Sequence, residues 1–238
     1  MQSLTDIHHH LLWGLDDGPR TKEETIRMLH KAAQEGVSCL VATPHIQLGV
    51  VDFDDTQYQR SLTEAQQYAY AAGLPVTVLP GAEIYYNSMT GLMLQRGAIP
   101  RLGKGTYVLV EFHPHVSFEG ICRASVHIAN AGCGMVLAHA ERYRCLRLGS
   151  RLARLQQEYH ILIQVNASTL MQPRHLLEKQ WMKRAMENSW IDLTASDAHD
   201  TLYRPCVMGQ CFAHLEKEWG LDMAQKLCCR IPAKVLNL

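Results

Sequence analysis

The chain lacks most of the features that place a protein quickly. It has no excess of charge, with Lys plus Arg and Asp plus Glu both at 23 among 238 residues. Neither nucleic acid nor a membrane surface is therefore expected as a partner held by bulk charge. No window approaches the roughly 20 apolar residues of a membrane span, so no direct membrane insertion is expected. The first residues lack a charged region followed by an apolar core, and no secretory signal is read there. There are eight cysteines but no C-x-x-C pair, and Cys228 and Cys229 are adjacent. That spacing suits free thiols in a reducing cytoplasm better than a disulfide framework. Linkers, low-complexity tracts and sequence repeats are also absent. The length suits one globular domain over residues 1–238.

Histidine is what the chain has in abundance, with 13 residues. Three of them are consecutive, in Asp6-Ile7-His8-His9-His10-Leu11-Leu12-Trp13-Gly14-Leu15-Asp16-Asp17-Gly18-Pro19. An expression-tag scar would not normally run into an apolar stretch and a paired-Asp turn. If Ile7 to Leu11 is extended, successive side chains alternate faces. His8 and His10 then share one face and His9 points away. Two imidazoles so placed can hold one metal ion, and the nearby carboxylates can hold a second.

The rest of the chain alternates strand and helix. Thr21 and Glu24 form a capping box for a helix that Gly36 can end. Short apolar runs at 39–42, 76–79, 107–110, 135–138, 161–165 and 190–195 read as buried strands. Helices are expected over about 56–72, after Ser88, and over about 121–131, 146–158, 174–188, 210–219 and 222–229. About seven βα units favour an α/β barrel or a wound parallel sheet.

Barrels place functional residues at the C-terminal ends of their strands. Here those ends carry His8 and His10, His45, Glu83, Glu111, His139, Asn166, and Asp197 with His199. A lone histidine or carboxylate after a strand is usually a loop or cap residue; together these describe a ring converging on one mouth. His30, His127, His160, His175 and His214 fall on helices or a strand start and read as surface or satisfied residues. His113 and His115 could line the mouth. Mixed nitrogen and oxygen ligands without thiolate suit Mn, Fe or Zn, and so many ligands imply more than one ion. Phosphate-ester or amide hydrolysis fits such a centre. Arg142, three residues after His139, and Arg204, five after His199, tilt the choice to phosphate, because guanidinium forks match its geometry. Cys145 to Arg151 has the C-x5-R spacing of cysteine-dependent phosphatases, but it follows a polar segment rather than a strand and reads as chance.

The ordered set Asp6-Ile7-His8-x-His10, Asp16-Asp17-Gly18, Thr43-Pro44-His45, Gly81-Ala82-Glu83, Glu111, Ala138-His139-Ala140-Glu141-Arg142 and Ser196-Asp197-Ala198-His199 resembles the polymerase and histidinol phosphatase (PHP) superfamily. Within it, the spacing most resembles the capsular-polysaccharide type of bacterial metal-dependent protein tyrosine phosphatase. The closing 231–236 segment is also similar. The resemblance implies a distorted seven-stranded βα barrel holding three metal ions, usually manganese, with Fe, Zn, Co or Mg as alternatives. It implies that His8, His10, Glu83 and Asp197 hold the first ion. Glu83 bridges to a second, held also by Glu111 and His139, and Asp17, His45 and His199 hold the third. It further implies that a metal-activated hydroxide attacks phosphorus while Arg142 and Arg204 bind the phosphoryl group. The implied substrate is the phosphotyrosine tail of a membrane-linked tyrosine autokinase controlling capsular or exopolysaccharide synthesis, and a homo-oligomer is compatible with this. The chain departs from the family at Trp13, where proline is usual, at His9, where a small residue is usual, and in the apolar Ile46-Gln47-Leu48. Two other functions compete: a small-molecule phosphoesterase of the same superfamily acting on histidinol phosphate or nucleotides, and a non-catalytic metal-binding module.

Overall fold

Parallel strands buried on both faces have near-continuous apolar sequences, and that pattern dominates the sheet. The computed structural model describes residues 3–49, 53–148 and 150–238. In chain order the elements are β1 (Leu4–His9), α1 (Lys22–Gln34), β2 (Val37–Ala42), β3 (His45–Ile46), α2 (Asp55–Ala71), β4 (Thr77–Pro80), β5 (Glu83–Tyr85), α3 (Thr90–Gln95), β6 (Tyr107–Glu111), α4 (Phe118–Asn130) and β7 (Gly134–Leu137). There follow α5 (Ser150–Tyr159), β8 (Leu162–Asn166), α6 (Ala167–Met171), α7 (Leu176–Glu187), β9 (Leu193–Ala195), α8 (Met208–Trp219), α9 (Leu221–Gln225), a π-helical turn (Lys226–Arg230) and α10 (Ile231–Leu236).

The strands form two parallel sheets, ordered β1-β2-β4 and β3-β5-β6-β7-β8-β9. A parallel bridge from His9 to Ala198 links β1 to the segment after β9. The Asp197 amide donates to His8 O and the His10 amide to Ala198 O, both at 2.9 Å. The result is a mixed α/β fold around a curled parallel sheet.

Alternation along the strands sorts side chains into two cores. Ile7, Cys39, Val41, Leu109, Val136, Leu193 and Ala195 fill the inside of the curl, which Leu102, Val235 and Leu236 close below. Leu40, Val78, Val110, Leu137, Ile163 and Val165 face the helices. β1 breaks the alternation. Asp6 pairs with Leu40 and His9 with Ala42, so three residues of β1 span two of β2. This is a β-bulge, and it turns Asp6 and His9 to the same outer face.

Most expected elements are present with shifted ends. Thr21 caps α1 with both halves of the capping box formed. Three expectations need correction. The strands at 39–42 and 76–79 do not end in loops: each resumes after a break, as β3 and β5, so His45 and Glu83 sit in strand and pair with each other. The helix expected from Leu146 starts at Ser150, because 144–146 forms a separate 3-10 turn. The last strand begins at Leu193 rather than Trp190, since Asp192 instead turns its carboxylate onto the Ile163 amide at 2.8 Å. All eight thiols are unpaired, and no helix among the described residues is long and apolar enough to cross a membrane.

Gly105 marks the point where α10 docks under the curl. A Cβ there would lie 1.9 Å from the Val235 carbonyl oxygen. We expect Gly105→Ala to destabilise the fold by about 2–3 kcal/mol, at the upper end of overpacking costs. Urea denaturation should show a lowered midpoint with an unchanged slope, and an unchanged midpoint would refute this packing account.

Candidate metal centre

Glu83, at the start of β5, is buried with four imidazoles around its carboxylate. Its Oε2 lies 3.1 Å from His8 Nε2, 3.2 Å from His10 Nε2 and 3.1 Å from His45 Nδ1, and its Oε1 lies 2.9 Å from His139 Nε2. Asp197 Oδ1 is 3.3 Å from His8 Nε2, and Glu111 Oε1 is 3.3 Å from His139 Nε2. Asp17 Oδ1 is 3.2 Å from His199 Nε2 and 3.6 Å from His45 Nε2. Ligand atoms within 4.8 Å of one another fall into three overlapping groups here: His8, His10, Glu83 and Asp197; His45, Glu83 and Glu111; and His10, Asp17, His45 and His199.

All nine residues expected to bind metal therefore converge on one mouth. The groupings differ in two places from those the resemblance implied. His45 reaches toward the Glu83–Glu111 pair as well as toward Asp17, because β3 pairs directly with β5. His10 stands close to the Asp17 group, its ring stacked 3.7 Å from that of His199.

Backbone geometry aims several of these groups. His139 and Asp197 adopt left-handed φ values of 33° and 54°, a conformation costly for non-glycine residues and concentrated at functional sites. Gly81, before Glu83, has no room for a side chain: a Cβ would lie 2.5 Å from Val41 Cγ1.

A supporting layer holds the ligands. Asp16 Oδ2 meets His10 Nδ1 at 2.7 Å and accepts the His45 amide at 2.9 Å. Gln164 Oε1 contacts His8 Nδ1 at 3.3 Å and accepts the His139 amide at 2.8 Å. Asn166 Nδ2 donates to Asp197 Oδ2 at 2.7 Å. Sequence reasoning passed over Asp16 and Gln164 as supports. The available signals were the second aspartate of the paired turn and a glutamine inside an otherwise apolar strand.

Arg142 and Arg204 both reach Asp197 Oδ2, at 2.6 and 3.0 Å, with their side chains about a third and two-fifths exposed. The other flagged residues lie elsewhere. The Trp13 ring packs beneath the Arg60 guanidinium at 5.3 Å and its carbonyl accepts from Gln57, so it braces α2. His113 and His115 stack on each other on the surface beyond Glu111. Cys145 sits in the 3-10 turn with its thiol pushed up by burial, the opposite of what a thiolate nucleophile needs. Part of its motif, Gly149, lies outside the described residues.

The electrostatics are those of a cation site. Burial raises the Glu83 and Asp197 carboxyls, but the facing charge of His8 and its neighbours outweighs it, and both end below the usual range. Asp17 is held low chiefly by its hydrogen bond to His199. Burial disfavours the charged forms of His10 and His139. Asp16 and Glu83 nonetheless push His10 up to about 10, and Glu111 and Glu83 push His139 up to about 9. The carboxylates that face these rings favour positive charge among them. The all-nitrogen-and-oxygen donor set and buried carboxylates fit divalent ions.

The sequence profile of a family described as "Capsular polysaccharide synthesis, CpsB/CapC" matches residues 4–237. The protein named tyrosine-protein phosphatase CpsB from Streptococcus pneumoniae is 28% identical over 238 residues, spanning 98% of each chain. Tyrosine-protein phosphatase YwqE from Bacillus subtilis is 27% identical over 228 residues, spanning 94% of this chain and 88% of its own. A solved structure from work on those two proteins, described there as metal-dependent tyrosine phosphatases, matches with a TM-score of 0.88 at 26% identity. It covers 98% of this chain and 94% of the other. A dihydropyrimidinase from Brevibacillus agri shares the fold at a TM-score of 0.66 and 12% identity, over 98% of this chain and 70% of the other.

Two outcomes are expected from this geometry. Gln164→Ala should weaken metal binding by roughly 10–100-fold, as loss of a ligand's supporting hydrogen bond does, with the circular dichroism of the fold retained. Because His10 and His139 hold protons up to about 10 and about 9, metal uptake at neutral pH should expel protons and apparent affinity should rise with pH. A pH-indicator titration in weak buffer measures this, and uptake without proton release would contradict it.

Proposed function

Because the chain belongs to the CpsB/CapC family of capsular polysaccharide synthesis proteins, we propose that it is a metal-dependent protein tyrosine phosphatase. It hydrolyses phosphoric monoesters, as its relatives' names imply. The observation that carries the reading is the convergence of nine nitrogen- and oxygen-bearing residues, Glu83 among them, on one mouth with two arginines at the rim.

The ions we assign are three manganese, with Fe, Zn, Co or Mg as substitutes. His8, His10, Glu83 and Asp197 would hold the first, Glu83, Glu111 and His139 the second, and Asp17, His45 and His199 the third. Bound divalent ions supply Lewis acidity that ionises a water and neutralises phosphoryl charge. The chain's own residues do the rest. Glu83 fixes the spacing of four imidazoles, and Gln164, Asp16 and Asn166 hold the ligands in register. Arg142 and Arg204, each reaching Asp197 Oδ2 through one guanidinium nitrogen, would turn their donors to the phosphoryl oxygens and orient the ester. Removing one such charge-stabilising contact costs roughly 10²–10³ in kcat.

The substrate we assign is the phosphotyrosine tail of a tyrosine autokinase that controls capsular or exopolysaccharide synthesis, met in the cytoplasm. A groove of about 560 Å³ beside Arg142 supports a polypeptide substrate; Arg147, Arg174, Arg184 and Trp181 also line it. With four arginines and two tryptophans against Glu141 and Glu178, its lining is net cationic and suits acidic or phosphorylated residues flanking the reacting tyrosine. We read the sheet as the distorted seven-stranded barrel of the PHP superfamily, counting β2 with β3 and β4 with β5 as single broken strands. The whole chain, residues 1–238, is then one domain.

Phosphate release from phosphotyrosine peptides should be lost with a chelator and restored by manganese. Arg142→Ala should lower kcat by roughly 10²–10³, while Cys145→Ser should leave it unchanged. Faster turnover of histidinol phosphate or nucleotides than of phosphopeptide would reassign the substrate. A metal-loaded protein inactive on every phosphoester would sink the enzymatic reading.

A further inference from the structure

Behind the mouth, on the outer face of β1, lies a second group of ligand atoms that uses none of the nine residues above. Asp6, His9 and Cys206 place one carboxylate oxygen, one ring nitrogen and one thiol within 4.8 Å of one another. All three residues are at most 1% exposed. His9 is the telling member. Both of its ring nitrogens are buried with no hydrogen-bond partner, and a buried polar group left unpaired is destabilising. The β1 bulge is what brings it there, since Asp6 and His9 are three residues apart and regular alternation would put them on opposite faces. Asp6 is already oriented. Its Oδ1 accepts the Ser196 amide at 3.0 Å, and its Oδ2 accepts from the Ser196 hydroxyl at 2.5 Å and from Cys206 Sγ at 3.8 Å. Two ligands of one tetrahedral ion, with metal–oxygen and metal–sulfur bonds of about 2.0 and 2.3 Å, lie about 3.5 Å apart, a few tenths of an ångström inside this oxygen–sulfur separation.

We propose that Asp6, His9 and Cys206 form a structural zinc site, with the Ser196 hydroxyl holding Asp6 in place as a hydrogen-bond donor. Thiolate, imidazole and carboxylate together select zinc, whereas the mouth has no sulfur ligand. Binding involves no redox change: the Cys206 thiol proton leaves to solvent as the Zn–S bond forms. The ion would tie β1 to the segment between β9 and α8, fixing the chain on both sides of Asp197 and His199. This proposal stands apart from the phosphatase assignment.

Cobalt distinguishes the two centres, because only a thiolate ligand gives sulfur-to-cobalt charge transfer in the near ultraviolet. Full-length protein expressed in cobalt medium should show that band. Cys206→Ser should abolish it, and Cys145→Ser should keep it. No band in the wild-type protein, or a band surviving Cys206→Ser, overturns the proposal. Should Cys206→Ser fail to fold, zinc-edge X-ray absorption of wild-type protein decides: one sulfur at about 2.3 Å supports the site, and a shell of only nitrogen and oxygen refutes it.

Discussion

A single buried carboxylate organises this molecule. Glu83 is 1% exposed, and taking an ionised carboxylate out of water costs several kcal/mol unless opposite charge faces it. Four imidazoles face it at 2.9–3.2 Å, from β1 and its exit, from β3 and from the turn after β7. A group so placed cannot be satisfied by neighbours in sequence. It requires the sheet to curl until those chain segments meet, so the fold and the site are consequences of one constraint.

The backbone yields where that constraint demands it. Two strands break, at Thr43-Pro44 and at Gly81-Ala82, and resume with His45 and Glu83 paired. The missing Cβ at Gly81 lets the chain pass against Val41. His139 and Asp197 take left-handed conformations just past their strands. Each irregularity lies within a few residues of a ligand, where the network around it offsets the strain.

Polar side chains on the buried strands and in the turn after β1 follow the same logic. Gln164, Asn166, Asp16 and Asp6 are spent on holding ligands or the backbone beside them. Asp6 is the clearest case: it accepts from the Ser196 amide, locking the first strand to the last at the point where Asp197 must emerge. The bulge that frees Asp6 and His9 from the inner face keeps His8 and His10 on it, so one backbone irregularity serves both sides of β1.

Periodicity and spacing in the sequence determined the βα rhythm, the parallel sheet and eight of the nine candidate ligands, because short apolar runs ending in His, Asp or Glu are local patterns; Asp17 entered through the family resemblance. The capping box at Thr21 and Glu24 was legible for the same reason. Distances between segments far apart in the chain are not local. Only the tertiary structure decided that His45 would lean toward Glu83 and Glu111 as well as Asp17, that Gln164 would brace two histidines from different strands, and that Trp13 would brace α2. It also decided that His9, which alternation alone turns away from the mouth, would face Asp6 and Cys206. That outcome depends on a bulge in pairing with β2, and pairing partners are set by the whole sheet rather than by the residues of one strand.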